Sequence, residues 1–142
     1  MDGLKCRIMG DILYKRLSDE TIGACIEVHK LMGPNLSEKI YEACVQKELV
    51  KRGYHADRQK WMDIFFKGEK LEEQYRIDML VANKLIVEFK TVPDINDSHV
   101  RQLLTYLEVS IYEVGYVVNF SRGRLQFKRF VLQNDFKKYK PG

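Results

Sequence analysis

Asp78, Glu88 and Lys90 are the residues whose types and spacing could do chemistry. Glu88 and Lys90 stand two apart in Leu85-Ile86-Val87-Glu88-Phe89-Lys90, a stretch otherwise apolar enough for a buried strand. Residues i and i+2 of a strand share a face, so a carboxylate and an ammonium lie side by side there. Asp78 belongs to a second strand-like stretch, "QYRIDMLV", and Ala82-Asn83-Lys84 between them reads as a hairpin loop. A two-residue turn at Asn83-Lys84 would pair Ala82 with Leu85 and set Asp78 against Phe89, mixing charges with large apolar groups on both faces. A three-residue loop pairs Val81 with Leu85 and Asp78 with Glu88. One face then reads Ile77, Met79, Val81, Leu85, Val87, Phe89, all apolar, and the other reads Arg76, Asp78, Leu80, Ile86, Glu88, Lys90. A one-residue slip exchanges the faces. At ~1.5–3 kcal/mol per buried apolar side chain, the apolar set selects the three-residue loop. Asn83 also tolerates the left-handed conformation such loops favour.

This register opposes two carboxylates at a cross-strand Cβ separation of ~5 Å, where they repel. Two arrangements offset that. Arg76 and Lys90 could neutralise the pair on a charged outer face of a sheet. Alternatively a divalent cation could sit between the two acids, since hard ions such as Mg²⁺ take one or two carboxylates and keep positions for water and phosphate. Glu38 favours the second. It lies three residues before Tyr41 and seven before Val45, on the inward stripe of a helix, and an acid leaning toward a core needs a partner. Meeting Asp78 and Glu88, it would complete a three-carboxylate metal site.

The elements that must position these residues follow from the hydrophobic periods. "SDETIGACIEVHKLMG" predicts a helix capped by Ser18 or Asp19 and stopped by Gly33-Pro34, with Ile22, Cys25, Ile26, His29 and Met32 in one stripe. "NLSEKIYEACVQKELVKRG" predicts a second, capped by Ser37 and ended by Gly53, burying Tyr41, Cys44, Val45 and Leu49. Beyond it the period changes to strands, with a turn at 67–70 ("KGEK") and the loop at 82–84. "DSHVRQLLTYLEVS", capped by Asp97 or Ser98, is a third helix. "EVGYVVNF", the turn "SRGR" and "LQFKRFVLQ" close the chain with two strands. His55 and His99 read as surface or loop residues. The order α-α-β-β-β-α-β-β predicts an α/β domain of α+β order, a central mixed β-sheet flanked by helices.

Asp78 followed by Glu88-Phe89-Lys90, on adjacent strands after a helix glutamate, resembles the PD-(D/E)XK nuclease superfamily. Within it the chain is similar to the GxxExxY protein family, whose motif aligns with Asn35-Leu36-Ser37-Glu38-Lys39-Ile40-Tyr41. "IGACIEVHKLMGP" resembles that family's opening helix, "YRIDMLVANKLIVEFK" its core hairpin, and "RQLLTYL" and "VVNF" its later elements, over about residues 17–132. The motif glycine is Asn35 here, the next-best residue for a positive φ, and Ile77 stands where proline often precedes the aspartate. The resemblance implies a restriction-endonuclease-like fold and a nuclease that hydrolyses phosphodiester bonds of nucleic acid, DNA first, with Mg²⁺ or Mn²⁺. It implies Asp78, Glu88 and Glu38 as metal ligands and Lys90 as a catalytic residue that positions or deprotonates water. Gln102 and Tyr106 resemble the Q-x-x-x-Y element of related exonucleases, which supports the active site and the strand; an amphipathic helix with Tyr106 in its core explains the same spacing. Arg76 is a candidate phosphate contact or a brace for Asp78. Tyr41 supports the site as part of the motif. His29, on an apolar stripe, reads as a satisfied buried histidine, although some relatives place an upstream histidine on the metal.

The remaining composition is ordinary. With 142 residues, 45% hydrophobic and 31% charged, the chain suits one domain over 1–142, with a basic N-terminal segment and tail flanking the core. A net charge of +4 permits an anionic partner without demanding one. Cys6, Cys25 and Cys44 contain no C-x-x-C pair, so neither zinc nor an iron–sulfur cluster is expected. No membrane span or signal peptide is legible, and an intracellular, cytoplasmic location is the expectation. A homodimer is compatible with the sequence, which leaves oligomeric state open. The rival reading is a non-catalytic nucleic-acid- or partner-binding protein that kept the fold; the complete Asp78, Glu88, Lys90 and Glu38 set argues against it.

Overall fold

The structure, a computed structural model, describes residues 13–133. Cys6, the N-terminal Lys5 and Arg7, and Lys137, Lys138 and Lys140 of the tail lie outside the described residues. The elements are α1 (Lys15–Met32), α2 (Glu38–Lys51), β1 (Ala56–Phe66), β2 (Glu69–Val81), β3 (Leu85–Lys90), α3 (Asp97–Val109), β4 (Val114–Asn119) and β5 (Gln126–Val131). The strands form one mixed sheet in the order β1-β2-β3-β4-β5, antiparallel except for the parallel pair β3–β4. The connection between that pair runs through α3, as parallel neighbours require a crossover.

The hairpin register is the one the apolar faces dictate. Val81 pairs with Leu85, Leu80 with Ile86 and Met79 with Val87, around a three-residue loop in which Ala82 and Asn83 hold positive φ (50° and 57°). The β1–β2 turn also uses positive φ at its two central residues, Lys67 (51°) and Gly68 (81°), the backbone that matches strand twist in a two-residue loop. Asn35 takes φ 75°, a conformation that asparagine tolerates better than most residues.

Both sheet faces are covered. Met79, Val81, Leu85, Val87 and Phe89 pack with Cys25 and Val28 of α1 and with Tyr41, Val45 and Leu49 of α2. On the opposite face Leu80, Ile86 and Val117 pack with Leu103, Tyr106 and Leu107 of α3. The face that carries Glu88 and Lys90 is therefore an α3-covered layer rather than an open charged surface. Ile77, expected beside Met79, instead joins the α3 cluster; the β2–β3 ladder stops between them, at Met79, and strict alternation ends with it.

Two helix starts differ from expectation. Helix α1 begins at Lys15, because Lys15, Arg16 and Leu17 extend the helical turn; Ser18 is buried inside it and its N–H bonds the carbonyl of Tyr14. The cap of α3 is Asn96, not Asp97 or Ser98. Its side chain accepts from the N–H groups of Ser98 (2.9 Å) and His99 (3.2 Å), and His99 Nδ1 accepts from Asn96 N–H (3.2 Å). His99 is thus half of a capping box. Ser37 precedes α2 as expected, but its carbonyl, not its side chain, receives the first helical N–H groups.

Candidate active site

Continuing the register by one pair beyond Met79 and Val87 sets Asp78 opposite Glu88, and here the ladder gives way to side chains. Asp78 N–H donates to Glu88 Oε2 (2.8 Å), and Phe89 N–H donates to Asp78 Oδ2 (2.9 Å). Each acid takes the place of a backbone carbonyl and accepts from the other acid's strand, so the strands stay joined while their carboxylates converge. Glu88 is only 3% exposed. Burial and the nearby Asp78 charge push its pKa up to about 8. The pKa of Asp78 is raised too, first by burial and then, against the Phe89 N–H bond that lowers it, by the charge of Glu42. Desolvation and a like charge both disfavour ionisation.

Lys90 follows on the same face. Its Nζ donates to Gln102 Oε1 (3.2 Å), and Gln102 Nε2 donates to the Tyr106 hydroxyl (3.1 Å). The i, i+4 spacing of Gln102 and Tyr106 on α3 builds this relay. The charge of Glu88, second to burial, raises the Tyr106 pKa, which sets the phenol close to the acid pair. Tyr75 packs on Tyr106 at 5.3 Å between ring centroids.

The third acid that bears most on the pair is Glu42, which no motif singles out. It is 2% exposed, accepts from Arg58 Nε (2.9 Å), and both its oxygens lie within hydrogen-bond reach of Gln59 Nε2 (3.1 and 3.0 Å). Its charge acts on both Asp78 and Glu88, whereas Glu38 acts on Asp78 with a smaller effect. Gln59 has φ 50° and falls between the pairs Arg58↔Met79 and Lys60↔Ile77, hence opposite Asp78. A sequence signal for Glu42 exists: it precedes Val45 by three and Leu49 by seven, on the buried stripe itself. Glu38 is half-buried at the first turn of α2. Among the described residues no three acid, histidine or cysteine side chains converge closely enough to hold an ion between them. Asp78 and Glu88 form the pair, and Glu38, at the first turn of α2, bears on Asp78 through its charge.

Three further candidates lie elsewhere. Arg76 is exposed and its guanidinium lies over the Trp61 ring (5.2 Å), its cross-strand partner. Tyr41 is fully buried, stacks on Phe120 at 4.2 Å, donates to the Gly33 carbonyl and accepts from Leu36 N–H (3.3 Å). It pins the α1–α2 connection that leads into Glu38. His29 Nε2 bonds the Ser121 carbonyl (2.8 Å), so its interaction is with the β4–β5 turn and not with the acid pair.

The donor set suits a hard divalent cation. Asp78 and Glu88 each commit one oxygen to a backbone N–H, which leaves Oδ1 and Oε1 without a protein donor among the described residues. Burial raises the pKa of both acids and the Asp78 charge adds to it at Glu88, so a cation between them would relieve the pair, and two carboxylates with remaining positions for water and phosphate are what Mg²⁺ takes.

A largely buried acid pair at the end of a β-hairpin, a lysine two residues on, and a glutamine–tyrosine relay from the crossover helix define a restriction-endonuclease-like fold with its acidic centre. The family model of the PD-(D/E)XK nuclease superfamily matches residues 15–130, and the chain belongs to that superfamily. Among solved structures, the crystal structure of SSO0001 is similar in fold, with a TM-score of 0.51 and 19% sequence identity. The match covers 68% of this chain and 50% of that one, so the chain spans about half the length of that protein. No functionally curated protein matches the chain. No helix among the described residues is long and apolar enough to cross a membrane.

Proposed function

We propose that the chain is a Mg²⁺- or Mn²⁺-dependent nuclease of GxxExxY type that hydrolyses phosphodiester bonds of DNA. The observation that carries this reading is the reciprocal bonding of Asp78 and Glu88 across the opened hairpin, with Lys90 on the same face. Asp78 Oδ1 and Glu88 Oε1 would hold the cation, and Glu38 would reach it through water. Bound there, the ion lowers the pKa of its water and neutralises charge on the phosphate. Lys90 positions the attacking water and stabilises the negative charge that develops on the phosphate. Gln102 fixes the ammonium through its carbonyl oxygen, and Tyr106 fixes Gln102 in turn. Glu42, held by Arg58 and Gln59, adds fixed negative charge behind the pair and strengthens its demand for a cation.

The test is incubation of the protein with single- and double-stranded DNA and RNA, each in Mg²⁺, Mn²⁺ or EDTA. Products are expected from DNA with either ion and not in EDTA, and Asp78→Asn should abolish them. Equal cleavage by wild type and Asp78→Asn would contradict the reading, as would no cleavage of any substrate.

A further inference from the structure

A wide groove on the described surface lies not over the acid pair but beside it. Its volume is about 1440 Å³, more than the ~300–1,000 Å³ of a typical small-molecule pocket. One wall is formed by residues 91–93, which leave β3 directly after Lys90, and the other by residues 120–127, the end of β4 and the turn into β5. The Phe120 N–H donates to the Lys90 carbonyl (2.9 Å), so the two walls meet at the Lys90 backbone. At the α side, Asn35 and Leu36 line the groove two residues ahead of Glu38. The groove thus opens onto the acid pair's end of the sheet, the carboxyl ends of the parallel strands β3 and β4, where open α/β sheets hold their ligands.

Its walls are fixed and its charge has one sign. The fully buried Asn119 side chain accepts from Val92 N–H (2.9 Å) and donates to the Val92 carbonyl (2.8 Å), which locks the first wall. The second is held by His29 on the Ser121 carbonyl and by the Ser121 hydroxyl on the Arg124 carbonyl (2.7 Å). Lys30, Arg122 and Arg124 line the groove, no acid does, and none of the three forms an ion pair among the described residues. Asp94, outside the lining, accepts from Gln126 (3.0 Å) at the edge. The lining also includes apolar residues, among them Phe127, which is 46% exposed and tilted against Tyr116. Cations that track a backbone beside an exposed aromatic ring are the means by which single strands are bound, because a duplex presents no free base face.

Resting on the nuclease reading above, we propose that this groove binds a single strand of nucleic acid, with phosphates on Lys30, Arg122 and Arg124 and a base against Phe127, and delivers it to Asp78, Glu88 and Lys90. The turn "SRGR" and His29, which the acid pair does not use, become a strand clamp and its brace.

The experiment measures fluorescence anisotropy of a labelled mixed-sequence single strand, as DNA and as RNA, and of the annealed DNA duplex, in EDTA so that nothing is cut. Wild type is expected to prefer single strand to duplex. Arg122→Ala/Arg124→Ala should weaken single-strand binding about tenfold or more and make log K against log[salt] shallower by about 1.4, since each phosphate contact on a single strand contributes about 0.7. Lys30→Ala, on a different element, should lower the slope by about half as much, and Phe127→Ala should weaken binding about fivefold or more at an unchanged slope. The charge-matched control Lys47→Ala/Lys51→Ala on α2 should bind like wild type. The groove assignment is overturned if the arginine pair and Lys30→Ala bind like that control, or if wild type prefers duplex. If the arginine variant binds like wild type while metal-dependent cleavage persists, the groove assignment alone fails. If wild type neither binds nor cuts, both fail.

Discussion

Glu88 bears the strain of the site. Its pKa is raised from 4.5 to about 8 by burial and by Asp78, so the folded protein binds this proton more tightly than the unfolded chain does. The stabilisation is complete below the unfolded value and is lost as pH rises through about 8. Thermal unfolding in EDTA should therefore show a melting temperature that falls as pH rises from 4.5 to about 8 for wild type and falls less for Glu88→Gln, which has no such proton; parallel profiles would exclude this origin. Mg²⁺ should reverse the trend, because an ion that binds the ionised pair would stabilise the folded state by mass action. Its effect on the melting temperature should grow with pH in wild type and vanish in Asp78→Asn, which should be at least as stable as wild type in EDTA. An equal response of both proteins to Mg²⁺ would place the ion elsewhere. Asp78, Glu88 and Lys90 are legible in the sequence because strand alternation makes a charge on an apolar strand conspicuous. Glu42 carries the same stripe spacing that singles out Glu38, three before Val45 and seven before Leu49, but its Arg58 and Gln59 partners on β1 are not legible. The partners of Arg76, Tyr41 and His29 are equally hidden, being set by β1 and by the turns at residues 33–36 and 121–124, far away in sequence.

At the scale of elements, the apolar alternation of β2 and β3 is enough to set their register, since the wrong one would expose their buried side chains. The break in that register is illegible: the place where two carboxylates replace backbone acceptors, and where Ile77 changes sides, depends on geometry that no hydrophobic period records. The α3 layer depends on Gly115 of β4. A Cβ built there meets Leu103 Cδ1 at 2.7 Å and the Ile86 carbonyl at 3.3 Å. Gly115→Ala should lift α3 from the sheet and cost ~1–3 kcal/mol by overpacking, read as a lower urea midpoint. Because α3 carries Gln102, the same variant should cut nucleic acid more slowly although every acid is intact. Unchanged stability would mean that Leu103 moves aside without disturbing the helix.

Across the whole molecule, the parallel pair β3–β4 gathers the candidate site at one end. The acid pair, the lysine, the α3 relay and the basic groove all lie there, and the long β1–β2 hairpin runs on past that end of β3, with Trp61 and Phe66 exposed and Tyr75 against Tyr106. The α-α-β-β-β-α-β-β order is readable from period and turn signals, and the helix coverage of both faces is not, since Leu80 and Ile86 alone do not announce α3. The central claim is that this end performs metal-dependent hydrolysis through Lys90. It is tested most directly by the single-turnover cleavage rate of Lys90→Ala against wild type, on whichever strand the wild type cuts, with melting temperatures measured beside it in Mg²⁺ and in EDTA. As a partly exposed side chain, Lys90 contributes at most ~1 kcal/mol to folding. As a donor to charge that develops in the transition state it is worth ~2.7–4 kcal/mol. The account predicts a rate lower by about 100- to 1,000-fold, with the melting temperature and its Mg²⁺ response nearly unchanged; a variant that folds, binds the ion and cleaves at the wild-type rate would contradict it.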